Sequence, residues 1–191
     1  KGYLRFGALL HARLGYEKGS TDRDQVLLPP PGVLTLVLHC RQRAKMIARI
    51  STYLDCTEER FWEKIKDPQS LQFIASPILK FQSSVKGDLD REWIIGKSYE
   101  LKLYFLGIFP LGRHTIRIVT VDRDRNTIVS NETGMLAKVW NHTIRFSQAT
   151  PTKLIYSDEI QIEAGLLTVP TWIFAHLFFR YRQKRWKLLL K

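Results

Sequence analysis

The chain has 191 residues, 45% apolar and 25% charged, enough for one domain with a substantial core and incompatible with global disorder. Thirty Lys and Arg against eighteen Asp and Glu give a net charge of +12, a balance that favours anionic partners and says nothing about fold. The charge is concentrated at the ends: segment 1–16 has Lys1, Arg5 and Arg13 and no acid, and segment 180–191 has Arg180, Arg182, Lys184, Arg185, Lys187 and Lys191 and no acid.

Segment 1–16 faintly resembles a targeting peptide, but it lacks a continuous apolar core and a small-residue cleavage site. Pro29, Pro30, Pro31 and Gly32 form the clearest break, because consecutive prolines favour an extended segment poor in hydrogen bonds. Residues 1–44 are therefore read as an extension, with Val33–Leu38 as a possible short strand, and 45–191 as the domain. Met46, at the start of the first convincing strand, is a natural place for that domain to begin. Cys40 and Cys56 flank this strand and would lie on the order of 30 Å apart at about 3.3 Å per residue, too far for a disulfide. Two free thiols and a reducing, cytoplasmic setting are expected.

Met46–Leu54 alternates imperfectly and ends in β-favouring residues, which predicts a strand. Asp55 or Thr57 can cap a following helix, with Glu58 and Glu59 in its first turn and Phe61, Trp62 and Ile65 on its apolar face. Asp67-Pro68 ends it and starts a second short helix through Leu71, Phe73 and Ile74. Strands are then predicted over Ile78–Ser84, Lys97–Leu106, Gly112–Val121, Asn126–Gly134, Leu136–Phe146 and Lys153–Glu163. The middle pair turns at Asp122–Arg125 and the last pair around Ser147–Thr152. Thr168-Val169-Pro170 opens a long helix whose apolar stripe is read as Trp172, Ile173, Leu177, Phe178, Tyr181, Trp186 and Leu189. The longest apolar stretch, Leu166–Phe179, is 14 residues and contains His176, short of the roughly 20 that a bilayer needs. A buried helix is the expected reading. The predicted class is α+β: a curved antiparallel sheet that only the terminal helix is long enough to cover.

This element order resembles the START-like (SRPBCC) superfamily of helix-grip proteins, which includes polyketide cyclase and dehydrase-like proteins. Three stretches carry the likeness: Thr57–Leu71, with Phe61-Trp62 before Asp67-Pro68; Trp140-Asn141-His142 followed by Tyr156-Ser157-Asp158-Glu159; and Phe178-Phe179-Arg180-Tyr181-Arg182 in the last helix. The resemblance covers about residues 45–191 and implies an internal cavity for a lipid, isoprenoid, polyketide or other small apolar ligand. Its expected lining is Leu101, Leu103 and Phe105 from one strand, Trp140 and His142, Tyr156 and Asp158 from the last two, and Trp172 and Phe178 from the helix.

No phosphate-binding glycine loop, nucleophile elbow, zinc-protease motif or paired-cysteine motif is present. No metal or cofactor is expected. The polar residues able to point inward are His114, Glu132, His142, Tyr156 and Asp158. His114 and Glu132 are read as satisfied structural residues or as facing solvent, while His142 and Asp158 stay open between structural and ligand-anchoring roles. Side chains alternate along strands, so Trp140, His142, Ile144 and Phe146 share one face, as do Leu154, Tyr156, Asp158, Ile160 and Ile162. Pairing Phe146 with Leu154 sets His142 opposite Asp158. A slip of two residues leaves them diagonal. Either register predicts a His142–Asp158 contact. The expected function is binding or transport of a small hydrophobic ligand. The alternatives are a cyclase or dehydrase-type enzyme using His142 and Asp158, and an interaction protein using the basic helix end. No specific nucleic acid is expected; the basic end could touch an anionic membrane surface.

Overall fold

The computed structural model of the protein describes residues 45–191. The readings made for residues 1–44, including the Val33–Leu38 strand and Cys40, lie outside them. Strand β1 (Met46–Leu54) is followed by helices α1 (Glu58–Ile65) and α2 (Pro68–Ala75), then by β2 (Leu79–Ser83), β3 (Ser98–Phe105), β4 (Phe109–Asp122), β5 (Thr127–Gly134), β6 (Val139–Thr150) and β7 (Lys153–Glu163). A single 3₁₀ turn, Gly165–Leu167, leads into the long helix α3 (Thr168–Leu189). All seven strands form one antiparallel sheet in the order β1-β7-β6-β5-β4-β3-β2.

Local chemistry accounts for the short helices. The Thr57 hydroxyl caps α1 by accepting from the Arg60 N–H, and Glu58 and Glu59 sit at the positive end of its dipole. The Asp67 carboxylate accepts from the Gln69 N–H, and Pro68, which has no N–H to lose, opens α2. Both helices bury their apolar faces at one end of the sheet.

Irregular pairing bends the sheet. Register shifts occur at Leu103/Tyr104, Ile118/Thr120 and Gln148/Thr150, and an extra residue in one strand sharpens its twist and bend. Gly112, opposite Leu103, has φ +94°, and a Cβ there would meet the Met135 side chain at 2.1 Å. Glycine is what lets β4 kink there against the β5–β6 loop.

The largest boundary differences from the sequence reading are in β4, which starts at Phe109 where Gly112 was expected, and in β6, which spans Val139–Thr150 where Leu136–Phe146 was expected. The β6–β7 hairpin is tight, its strands running to Thr150 and from Lys153, because polar, exposed Ser147–Thr150 still pair along the edge of the hairpin. The pairing register is the slipped one: Phe146 faces Tyr156, Ile144 faces Asp158 and His142 faces Ile160. The bulge between Gln148 and Thr150 shifts the pairing by one residue, and beyond it paired residue numbers have an even sum, which keeps both apolar faces inward.

Helix α3 lies across the concave face. Beyond Thr168 at its start, its buried residues are Ala175, Phe178, Phe179, Arg182, Gln183 and Trp186, recurring at i, i+3, i+4, i+7, i+8 and i+11. Ile173 and Leu177, placed on the stripe from sequence, are 49% and 64% exposed. The buried face includes two polar residues, so hydropathy alone selected neighbours rotated off it. Two core clusters result. One joins Ala48, Ile50, Ile160 and Ile162 to Ala175, Phe178 and Phe179. The other joins Phe61, Trp62, Phe146, Tyr156 and Trp186, with Phe61 edge-on to Phe146 at 4.7 Å between centroids.

Candidate functional site

Between the bent sheet and α3 lies a cavity of about 640 Å³. Its wall is mostly aliphatic and aromatic, from Ile74 and Leu79 through Ile116, Ile118 and Ile128 to Phe174, Phe178 and Phe179. The cavity opens at a rim formed by Phe105, Met135, Leu136 and Leu167, which line it and are also solvent-exposed.

Of the residues assigned to the wall from sequence, Leu103, Phe105, Trp140, His142 and Phe178 lie on it. The other four do not. Leu101 is buried in the core cluster that also holds Phe81 and Tyr99. Tyr156 and Asp158 point inward from β7 but lie beneath α3, which is packed on β1 and β7. Trp172 turns outward from the cavity; its indole N–H donates to the Ile47 carbonyl at 2.9 Å, and its ring meets His176 edge-on. This contact pins the start of α3 to β1.

A hydrogen-bonded polar band crosses the apolar face through four strands. On β4, His114 Nε2 is 2.8 Å from Glu132 Oε2 on β5. The Ser130 hydroxyl donates to Glu132 Oε1 at 2.6 Å. His142 on β6 is the cross-strand partner of Ser130, and its Nε2 is 2.8 Å from Asp158 Oδ1 on β7. The Tyr156 hydroxyl donates to the same oxygen at 2.6 Å, and Gln183 Nε2 on α3 donates to Oδ2 at 3.0 Å. The diagonal His142–Asp158 contact is therefore present in the slipped register.

Electrostatics follow from these partners. Burial alone raises the pKa of Asp158, but the His142 hydrogen bond, the charges of His142 and Arg182 and the Tyr156 hydroxyl outweigh it and hold the carboxyl below its ordinary value. Glu132 behaves alike: burial is opposed by the His114 hydrogen bond, by His114 and His142 charge and by Ser130, and the net direction is down. Burial, reinforced by the Asp158 charge, pushes the Tyr156 phenol well above its ordinary value.

His114 and Glu132, whose structural reading from sequence is matched by their mutual hydrogen bond, also line the cavity. The signal for this was available: two residues before Gly134, Glu132 shares the inward face of β5 with Ser130. Gly134 pairs with His114, and a Cβ on it would sit 2.7 Å from His114 Nδ1. The glycine leaves the space in which the imidazole lies. Arg182 was missed, having been counted with the basic tail. It is 7% exposed and lines the cavity. Arg185 also turns inward, its guanidinium 4.0 Å from the Phe73 ring centroid. Among the described residues, no group of three or more His, Cys, Asp or Glu side chains could hold a metal ion.

A bent antiparallel sheet gripping one long C-terminal helix over an internal cavity is a helix-grip fold. The chain belongs to the family described as a domain of unknown function, DUF8410, which matches residues 52–188. No curated protein matches it. Among solved structures it is similar to a Chromobacterium violaceum protein at 13% identity and a TM-score of 0.59, covering 75% of this chain and 96% of that one. Thalictrum flavum norcoclaurine synthase, solved with dopamine and hydroxybenzaldehyde, matches at 11% identity and a TM-score of 0.56, over 88% and 96% of the two chains. A START superfamily protein from Mycobacterium smegmatis matches at 9% identity and a TM-score of 0.55, over 75% and 96%.

Proposed function

We propose that this protein binds a small apolar ligand in the cavity between the sheet and α3. The observation that carries this reading is the cavity itself: about 640 Å³ of space with a largely apolar wall, within the roughly 300–1,000 Å³ range of small-molecule sites. The polar band supplies the few oriented groups that such sites use to fix a ligand. The exposed apolar rim offers a route for a ligand that avoids water. Native mass spectrometry of the purified protein tests this directly, with a retained apolar molecule as the expected result. Leu103→Trp, which projects a large ring from the wall, is expected to abolish retention while leaving the thermal melt cooperative. Retention unchanged by that substitution would sink the reading.

A second reading rests on the two His–carboxylate pairs, His114–Glu132 and His142–Asp158, whose imidazoles both line the cavity. A histidine oriented by a carboxylate is the usual arrangement for general acid–base work. The similarity to norcoclaurine synthase is compatible with it, although at 11% identity that likeness concerns the fold. Proton transfer predicts deuterium uptake from heavy water at the carbon beside a bound ketone's carbonyl, lost in His142→Gln or His114→Gln. A pure carrier gives none.

A further inference from the structure

Arg182 presents a contradiction that the apolar-ligand reading does not absorb. Its side chain is buried on the inner face of α3 and lines the cavity. Among the described residues nothing accepts a hydrogen bond from it, and its Nε is wholly buried without a partner. A guanidinium carries five N–H donors and stays charged at any pH the fold survives. Buried polar groups are almost always satisfied, and a buried charge without partners is strongly unfavourable.

The neighbours do not resolve it. Phe179 and Phe178 lie 4.6 and 5.8 Å from the guanidinium carbon, which covers a face of the group and leaves the in-plane N–H donors unanswered. Asp158 is close enough for its charge to be felt, but it is not within ion-pair distance of Arg182, and its oxygens are already taken by His142, Tyr156 and Gln183. Glu132 is held by His114 and Ser130. Both buried carboxylates are therefore engaged, and Arg182, the one buried Arg or Lys side chain among the described residues, faces the space that a ligand would fill.

We propose that the cavity takes an apolar molecule bearing an anionic oxygen group, a carboxylate or phosphate, with Arg182 as its counterion and hydrogen-bond donor. The inference rests on the apolar-ligand reading and sharpens it. The planar fork of the guanidinium matches two oxygens of such a group, and the apolar wall receives the tail. The Phe178 and Phe179 rings hold the fork in place and exclude water from it.

Calorimetric titration of the full chain with dodecanoate, dodecyl phosphate and dodecanol tests this, using three probes that share a tail and differ in the head group. At least one anion is expected to bind about tenfold or more tighter than dodecanol, the scale of one charge-assisted hydrogen bond, and the stronger anion identifies the head group. Arg182→Gln is expected to erase that preference while leaving dodecanol binding intact. Arg182→Lys, which keeps the charge without the fork, is expected to retain part of it. Dodecanol binding with no preference for either anion, or a preference that survives Arg182→Gln, overturns this inference alone. No binding of any probe overturns the cavity reading with it. The melting temperature of ligand-free Arg182→Gln separates the remaining role: only a small change is expected, since no hydrogen bond is lost and what goes is the longer-range attraction to Asp158 and the contact with Phe179. A marked fall, with the head-group preference intact, would make Arg182 a structural counterion for Asp158.

Discussion

Asp158 is fully buried, with three donors on its two oxygens. Removing one partner of such a pair strands the other, and His142→Ala or Asp158→Ala is expected to cost roughly 3–5 kcal/mol, with the double mutant well short of the sum. Chemical denaturation of the four proteins measures this; strictly additive losses would mean that the pair does not interact. The pH dependence has a definite sign. Asp158 and Glu132 are held below their ordinary values in the folded protein, so near pH 4 the unfolded chain binds more protons than the folded one. Their stabilisation is present above the unfolded-state values and is lost as pH falls through the folded ones. Urea midpoints from pH 6 to pH 3 should therefore drop, and Asp158→Asn should flatten the curve below about pH 4. Gly134 tests the other pair. Gly134→Ala would push a methyl against the His114 ring, an overpacking expected to cost about 1–3 kcal/mol. In a His114→Ala background the same change should cost far less, as melting temperatures will show.

At the scale of elements, α3 carries the fold. It packs on β1, β7 and α2, and its inner aromatic residues reach both core clusters. Phe179, 1% exposed, lies edge-on to His142 at 4.9 Å and stacks with Trp140. Phe179→Ala should cost roughly 3–5 kcal/mol, whereas Leu177→Ala, on the outer face, should change stability by less than about 0.5 kcal/mol. Equal losses at the two positions would mean that the helix sits in a different rotation. Gln183 has a specific part in fixing that rotation, because its amide donates to both the Ile50 carbonyl and Asp158.

For the whole molecule, both core clusters and every sheet pairing described are made within residues 45–191. A chain beginning at Met46 is expected to fold and melt cooperatively, as a single domain with one core layer does. Loss of the cooperative transition in that chain would assign residues 1–44 a structural part. Among the described residues no helix is long and apolar enough to cross a membrane. Of the basic residues in segment 180–191, Arg180, Lys184, Lys187 and Lys191 face solvent, while Arg182 is buried and Arg185 is packed on Phe73. The basic end thus combines a solvated face with an inner charge, and only the former is free to meet an anionic surface.

How much was legible in the sequence follows from the range of the interactions involved. Element identity and order came from local signals: caps at Thr57 and Asp67, the period-2 alternation of Lys153–Glu163, and Pro170 near the start of α3. The inward alternation of β6 and β7 was enough to bring His142 to Asp158, since a register slip of two preserves facing. The register itself depended on a bulge at Gln148/Thr150, which leaves no mark in an apolar–polar pattern. The rotation of α3 was also beyond the sequence, because its buried face includes Arg182 and Gln183, and a polar residue is placed inside only by what it meets there. The His114–Glu132 pair and the unpartnered guanidinium likewise exist only once β4, β5 and α3 have closed around a common space. Local propensity determined the parts; curvature and helix docking, which depend on contacts distant in the chain, decided which polar side chains face the cavity.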